Sequence, residues 1–191
     1  GNNAHLLVEA YSPETAVGVP SPAPSVPIAI VGIGARVADG GSAKALADAL
    51  ASGTSRVHAR ATGGPAASAT SVEVALTGLR SPPKDLDETL AQQTMMLCAA
   101  RDAVAGLSLS STRTSVLIGA QCDAEVARYG ARWRTREWAA TAGADLAWQE
   151  AAADAFVPVL KSAGVLGTMP NIPANRLNGQ LDLGGPSYTV A

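Results

Sequence analysis

The chain has 191 residues, of which 47% are hydrophobic and 16% charged, a composition typical of a folded domain rather than a disordered segment. Its formal net charge of −2 gives no general electrostatic attraction to nucleic acid or to an anionic membrane, so neither is expected as a partner. No apolar run is long enough to span a bilayer, and no charged segment followed by an apolar one has the pattern of a secretory leader, so we expect a cytoplasmic protein.

The first 27 residues divide into a short apolar stretch and a proline-rich one. Gly1–Glu9 has the pattern of a Gly/Asn turn that feeds a short strand. In the following residues, 12–27, the run Val19–Pro27 alternates proline with small residues. Prolines at this density favour extended polyproline II and disfavour both helix and sheet, so we place a linker and a domain boundary at 12–27.

An apolar run that ends in glycines, Ile28–Arg36, predicts a strand buried on both faces. Gly32-x-Gly34 also opens the dinucleotide-binding fingerprint, but Val37 stands where the third glycine belongs. No convincing acidic residue follows at a strand end either, so a nucleotide-binding α/β domain is kept only as a third interpretation.

The next segments are a helix and a long irregular stretch. Ser42 is placed to cap a helix that runs through Leu50, with Gly53 near its end. Residues 54–83 are rich in Ser, Thr, Ala, Gly and Pro, which predicts a loop. His58 lies in this stretch with no partner near it in the sequence, so we interpret it as a surface residue.

The clearest helix is predicted over Leu86–Gly106, because the segment is rich in strong helix formers and ends in glycine. Its apolar residues Leu90, Leu97 and Val104 recur near heptad spacing. Three residues within it are expected in the core or against a dimer partner, rather than in redox chemistry: Met95, Met96 and Cys98.

The two cysteines, Cys98 and Cys122, have neither metal-ligand spacing nor a second close pair, so we expect reduced thiols and no metal site. Cys122 follows a second predicted buried strand, Thr114–Gly119. The sequence places no His or Asp beside Cys122 in a catalytic arrangement. We therefore interpret Cys122 as a free buried thiol rather than a nucleophile.

A mixture of cationic and aromatic residues occupies Arg128–Trp138. Such a mixture can bind phosphates and bases, but Glu125, Glu137 and the acidic net charge argue against a nucleic-acid platform. Two interpretations stay open: a solvated helix face with aromatic anchors against a neighbouring domain, and a docking surface for an acidic partner. A further helical stretch, Asp145–Ala163, is expected to end or kink around Pro158.

Predicted strands near residues 28 and 115 alternate with helices near 43, 86 and 146, an order that predicts an α/β layer architecture. The most specific segment is the last one, Ile172–Ala191. Gly184–Ser187 breaks the chain before Tyr188–Val190, whose aromatic and β-branched residues predict a buried strand. A strand entered through a tight turn can lead to a strand-to-helix elbow, where a nucleophile is exposed in front of a helix N-terminus.

This last segment resembles the β-ketoacyl synthase pattern N-R-I-S-x-x-x-D-L-x-G-P-S-x-T-V-D-T-A-C. The residues that match in register are Arg176, Asp182, Leu183, Gly185, Pro186, Ser187, Thr189 and Val190. Three earlier segments also resemble this family: Ile28–Arg36 its I-A-I-V-G-x-G-x-R opening, Gln92-Gln93 a packed helix, and Thr114–Gly119 its T-G-V-F-V-G strand. The resemblance implies the N-terminal half of a thiolase-like fold with α/β/α layers.

The resemblance also implies a reaction, decarboxylative Claisen condensation. In the family a cysteine carries an acyl group as a thioester. A malonyl thioester loses carbon dioxide, and the resulting carbanion attacks the carbonyl of that acyl group. That cysteine lies about three residues beyond the position of Ala191, so we expect the 191-residue chain to be inactive alone. The family has an aspartate where Ala191 stands. This departure favours an alternative, a non-catalytic chain-length-factor-like partner that dimerises with a ketosynthase and shapes its acyl pocket.

Gly1–Glu9 resembles the G-T-N-A-H-V-x-L-E motif near the C-terminal end of ketosynthases, with Asn2 in place of threonine. By this resemblance His5 would hold the malonyl thioester carbonyl and stabilise the enolate; otherwise it caps a strand in a turn. The implied organisation is the end of a preceding ketosynthase at 1–11, a linker at 12–27 and the N-terminal half of a second domain at 28–191. No bound cofactor is implied; the substrates would be phosphopantetheine-linked acyl and malonyl thioesters, and the acidic partner an acyl carrier protein.

Overall fold

The computed structural model describes residues 26–190. His5 and most of the proline-rich run lie outside these residues. The chain divides into two units, Gly1–Val31 and Gly32–Ala191. The described part of the first unit, residues 26–31, forms neither a helix nor a paired strand, and Ile28 is 94% exposed.

The second unit contains seven α-helices and two β-strands within its described residues. They run in the order α1 (Ala43–Ser52), α2 (Pro83–Asp87), α3 (Ala91–Ala103), β1 (Val116–Gly119), α4 (Val126–Thr141), α5 (Leu146–Phe156), α6 (Ser162–Thr168), α7 (Ile172–Leu181) and β2 (Ser187–Val190). Between residues 26 and 190, no helix combines the length and the apolar character that crossing a membrane requires.

The predicted helix ends are confirmed where local side-chain chemistry sets them. The Ser42 hydroxyl accepts a hydrogen bond from the Ala45 N–H at 3.4 Å, and Gly53 ends α1 with a left-handed φ of 66°. The Asp145 carboxylate accepts the Trp148 N–H at 2.8 Å and so caps α5. That helix ends at Phe156, two residues before Pro158, as expected because proline cannot continue the hydrogen-bond ladder.

The two strands form a parallel pair in which Val116 lies opposite Ser187 and Gly119 opposite Val190. The Val116 N–H donates to the Pro186 carbonyl at 2.9 Å at the start of the pair. Gly185 fits there because a side chain would collide with the backbone next to β1: a Cβ would lie 2.8 Å from the Thr114 carbonyl carbon. The predicted α/β architecture is confirmed.

The core lies on one face of this pair, against α3 and α7. Leu97 is completely buried among four neighbours: Leu86, Val116, Ala174 and Leu177. The other face is open within the described residues, since Leu117 is 60% exposed and Tyr188 about half exposed. The prediction that both strands are buried therefore holds for one face of β1 and is wrong for β2, whose residues are only partly covered.

The helix predicted over Leu86–Gly106 is interrupted. It forms α2 and α3, with a break at 88–90 between them. At the break the Leu90 N–H donates to the carbonyl of Gly167 in α6 at 3.2 Å, instead of continuing a helical ladder. A tertiary hydrogen bond thus overrides the strong helix propensity of the segment.

The strand predicted over Ile28–Arg36 is not formed, because the run pairs with no other strand among residues 26–190. Its glycines have a packing role instead. A Cβ on Gly34 would collide with the Ala99 carbonyl oxygen and lie 2.9 Å from the Ala103 nitrogen, so the backbone can approach α3 only without side chains. This close approach accounts for Gly32-x-Gly34 without a nucleotide phosphate.

His58 is not the partnerless surface residue that the sequence predicts. Its imidazole is partly buried, with Nδ1 3.3 Å from the Arg56 carbonyl oxygen and Nε2 3.4 Å from the Ser68 hydroxyl. Its backbone also pairs with Ala66, at 3.0 and 3.1 Å. The loop folds back on itself and brings together residues that are eight to ten positions apart in sequence, a spacing that local patterns do not reveal.

Candidate functional site

The candidate site is the edge of the sheet where both strands end. Since β1 and β2 are parallel, their carboxyl ends lie side by side, and the Ala120 N–H donates to the Val190 carbonyl at 2.9 Å. In α/β proteins ligands bind preferentially outside the carboxyl ends of parallel strands. The end of β2 at Val190 therefore lies beside the loop at 120–123, which follows β1.

This loop is fixed by its neighbours at both ends. The Gln92 side-chain amide donates to the Gln121 carbonyl at 2.8 Å and ties the loop to α3. The Asp123 carboxylate accepts the Glu125 N–H at 3.0 Å and orients the turn into α4. Between these ties Cys122 is a free, exposed thiol. The prediction of a free thiol is confirmed, but the predicted burial is wrong because, within the described residues, the loop lies outside the core at the strand ends.

A cavity of about 100 Å³ lies between this loop, the start of α3 and the turn from α6 into α7. Cys122, Gln93, Met169 and Pro173 are among its lining residues. Gln93 is only 3% exposed, and its amide N–H groups donate to the carbonyls of Gly167 at 2.8 Å and Met169 at 3.4 Å. The expectation that Gln92-Gln93 belongs to a packed helix is confirmed, but the sequence did not show that Gln93 anchors α6.

The segment from α7 into β2 is held by side chains of the motif found in the sequence. The Arg176 guanidinium donates to the Thr89 hydroxyl at 3.3 Å and joins α7 to the break between α2 and α3. Burial lowers the pKa of Arg176, and the nearby Asp85 carboxylate opposes this shift. Further along, the Asn178 amide donates to the Gly185 carbonyl at 3.4 Å. These hydrogen bonds fix the turn that leads from α7 into β2. The helix α7 itself, Ile172–Leu181, was not predicted from the sequence.

The cationic and aromatic segment Arg128–Trp138 lies within α4. Trp133 and Trp138 are exposed within the described residues, in keeping with a solvated helix face. Their predicted role as aromatic anchors against a neighbouring domain stays a prediction. Arg132 does not lie on a solvated face. Its guanidinium is buried, pairs with Asp154 of α5 and donates to the Val157 carbonyl at 2.8 Å. This ion pair between helices follows from tertiary packing, so helical spacing alone could not reveal it.

A comparison with protein-family models agrees with the α/β fold described above. A family model described as the N-terminal domain of β-ketoacyl synthase matches residues 25–191. The match includes both strands, all seven helices and the whole candidate edge. A search of curated proteins found no significant match. The chain belongs to the β-ketoacyl synthase family, and the matched region is the N-terminal domain of a thiolase-like α/β fold.

Proposed function

We propose that residues 28–191 serve in fatty-acid or polyketide chain extension as the half-domain that carries the nucleophile strand of a condensing enzyme. The observation that supports this proposal is the parallel pairing of β2 with β1, which ends at Val190 beside the loop at 120–123. A strand held in this way fixes the position from which a following elbow starts. The family places its cysteine about three residues beyond Ala191.

The reaction of the complete domain would proceed in two stages. The cysteine thiolate attacks an acyl thioester carried on phosphopantetheine, forms an acyl-enzyme and releases the carrier thiol. A malonyl thioester then loses carbon dioxide, and the resulting carbanion attacks the acyl carbonyl and displaces the cysteine. The 191 residues contribute scaffold to this reaction, because none of them occupies the position of the family's nucleophile. We expect no condensation by this chain alone.

A second candidate function is a chain-length-factor-like partner. Ala191, in place of the family's aspartate, favours this candidate. Such a domain would form a dimer with an active ketosynthase and shape its acyl pocket. An acyl carrier protein would deliver substrates in either case. His5 would belong to the preceding ketosynthase-like domain and would act there on the malonyl thioester.

The decisive experiment uses the encoded polypeptide that includes the residues after Ala191. It is incubated with an acyl-phosphopantetheine thioester, and acyl transfer is measured by intact mass. Catalytic function predicts one added acyl group, which substitution of the elbow cysteine by alanine abolishes, and carbon dioxide release when a malonyl thioester is supplied. Partner function predicts no acyl mass but a stable complex with a ketosynthase subunit in size-exclusion chromatography. Acyl transfer by the 191-residue chain itself would contradict the proposal.

A further inference from the structure

An open apolar groove lies between α4 and α5. Three aromatic side chains line it, Trp138 of α4 with Trp148 and Phe156 of α5, and all three are exposed within the described residues. Its other lining residues are small: Thr135, Ala139, Ala142, Gly143 and Ala144. The groove has a volume of about 490 Å³. An exposed apolar surface of this kind marks a place where another molecule binds.

The two helices set the positions of the aromatic side chains along the groove. They run antiparallel, and a guanidinium nitrogen of Arg136 in α4 lies 3.9 Å from a carboxylate oxygen of Glu150 in α5. Two residues nearer the turn on each helix, Trp138 therefore lies opposite Trp148. Phe156 follows Trp148 by eight residues on α5, which is about 12 Å along the helix axis. The groove thus has two tryptophans at one end and a phenylalanine at the other.

The groove offers hydrogen-bond donors but no charge. The indole N–H groups of Trp138 and Trp148 have no acceptor within residues 26–190. The Thr135 hydroxyl already donates to the Ala131 carbonyl at 2.8 Å, and no charged side chain is among the described residues that line the groove. A fitting occupant is therefore uncharged and apolar, and it has carbonyl oxygens that accept hydrogen bonds from the two indoles.

The sequence itself carries a segment with these properties, Val19–Pro27. It has no charged residue and four prolines: Pro20, Pro22, Pro24 and Pro27. Val26 and Pro27, the two of its residues that the structure describes, are exposed. Proline has no backbone N–H, and polyproline II, which this composition favours, has no internal hydrogen bonds, so its carbonyl oxygens are free acceptors. One turn of this helix, from Pro24 to Pro27, is about 9 Å long and fits between the two ends of the groove.

We propose that the groove binds the segment Val19–Pro27 of a second copy of the chain in polyproline II conformation, as other aromatic-lined grooves bind proline-rich segments. One proline packs between Trp138 and Trp148, and the proline one turn away packs on Phe156. The two indole N–H groups donate to carbonyl oxygens of the segment. Each copy has one segment and one groove, so two copies bind reciprocally and the assembly closes as a dimer. The second contact forms within the same dimer and strengthens the association beyond that of one contact.

The first test measures binding of a dye-labelled synthetic peptide of residues 19–27 to the full 191-residue chain by fluorescence anisotropy. We expect saturable binding, which a control peptide with all four prolines replaced by alanine should lose. Trp138→Ala and Trp148→Ala should each weaken binding by about tenfold or more, as is typical of aromatic residues at the centre of an interface. Trp133→Ala is the matched control, because Trp133 is exposed on α4 but does not line the groove. No binding, or the same loss in all three variants, would overturn the proposal.

The second test identifies the source of the segment by analytical ultracentrifugation. The wild-type chain should dimerise as its concentration rises, whereas Trp148→Ala and the variant with all four prolines replaced by alanine should each stay monomeric. A mixture of these two variants should form a heterodimer, because one supplies an intact segment and the other an intact groove. A mixture without heterodimer, or a homodimer that persists in both variants, would refute the reciprocal contact. A wild-type chain that binds the peptide but stays monomeric would overturn the second copy as the occupant.

Discussion

Gly167 is the position where the packing of α6 can be tested most sharply. It lies against the break between α2 and α3, and a Cβ built there would be 2.5 Å from the Glu88 carbonyl oxygen and 2.6 Å from the Thr89 Cα. Both neighbours are backbone atoms, so no side-chain rotation can relieve the contact. Gly167→Ala therefore requires α6 to move outward by about 1 Å, the difference from an ordinary contact distance.

The magnitude follows from three terms. Overpacking of this kind costs about 1–3 kcal/mol of unfolding free energy. The displacement also lengthens the hydrogen bonds that the Gly167 carbonyl accepts from Leu90 and Gln93, at about 0.5–1.5 kcal/mol for each bond lost. Alanine in a helix returns up to about 1 kcal/mol relative to glycine. With both hydrogen bonds lost, we expect a net loss of about 1–5 kcal/mol.

Gly130→Ala is the matched control, since Gly130 lies exposed within α4 and has no heavy atom within 4 Å of a built Cβ. This variant should gain about 0.5–1 kcal/mol from helix propensity alone. Unfolding in urea should be followed by far-UV circular dichroism, because the three tryptophans are exposed and report poorly on the core. If Gly167→Ala were as stable as Gly130→Ala, the described contact between α6 and the break would be wrong.

Two further substitutions test the core and the surface electrostatics. Leu97→Ala should cost about 2–5 kcal/mol of unfolding free energy, whereas the same change at exposed Leu117 should cost less than about 1 kcal/mol; equal losses in urea titrations would contradict the assigned core. The hydrogen bond from Arg80 at 2.9 Å lowers the pKa of Asp182, so its stabilisation is present above the ordinary carboxyl pKa and is lost as the pH falls below about 4. Asp182→Asn, which tolerates the left-handed φ of 57°, should lower the melting temperature at neutral pH and match wild type in acid; a difference independent of pH would refute this linkage.

The parts of the fold that the sequence predicted are those determined within a few residues. Ser42 and Gly53 mark the two ends of α1 because capping needs only a hydroxyl and a residue that accepts positive φ. Pro158 similarly predicted the end of α5. The β-branched and aromatic run of β2 predicted a strand, but its partner and its exposed face depend on distant residues.

The parts that the sequence missed depend on contacts between distant segments. Helix propensity favours continuity through 88–90, and only the carbonyl of Gly167 explains why Leu90 leaves the ladder. Likewise, Ile28–Arg36 has the composition of a strand, yet a strand forms only where another backbone completes its hydrogen bonds, and none does so within residues 26–190.

The candidate site shows the same division. The motif from Arg176 to Val190 located the strand that leads to the sheet edge, and Gln92-Gln93 identified the packed start of α3. The sequence did not show that Gln93 uses both carbonyls near it for its nitrogen and leaves its oxygen without a partner in the described structure. Nor did it show that Cys122 lies exposed in the same cavity.

The contacts around Gly167 connect stability with the candidate site. The Gly167 carbonyl accepts hydrogen bonds from Leu90 and Gln93, so the contact that fixes α6 also orients the amide that lines the cavity. An outward shift of α6 would loosen both hydrogen bonds and allow the Gln93 amide to rotate. The orientation of the Gln93 amide thus depends on the absence of a side chain at Gly167. The position of the loop at the sheet edge therefore depends on the packing of α6. The Gly167 carbonyl of α6 holds the start of α3, and α3 holds the loop after β1 through the Gln92 amide.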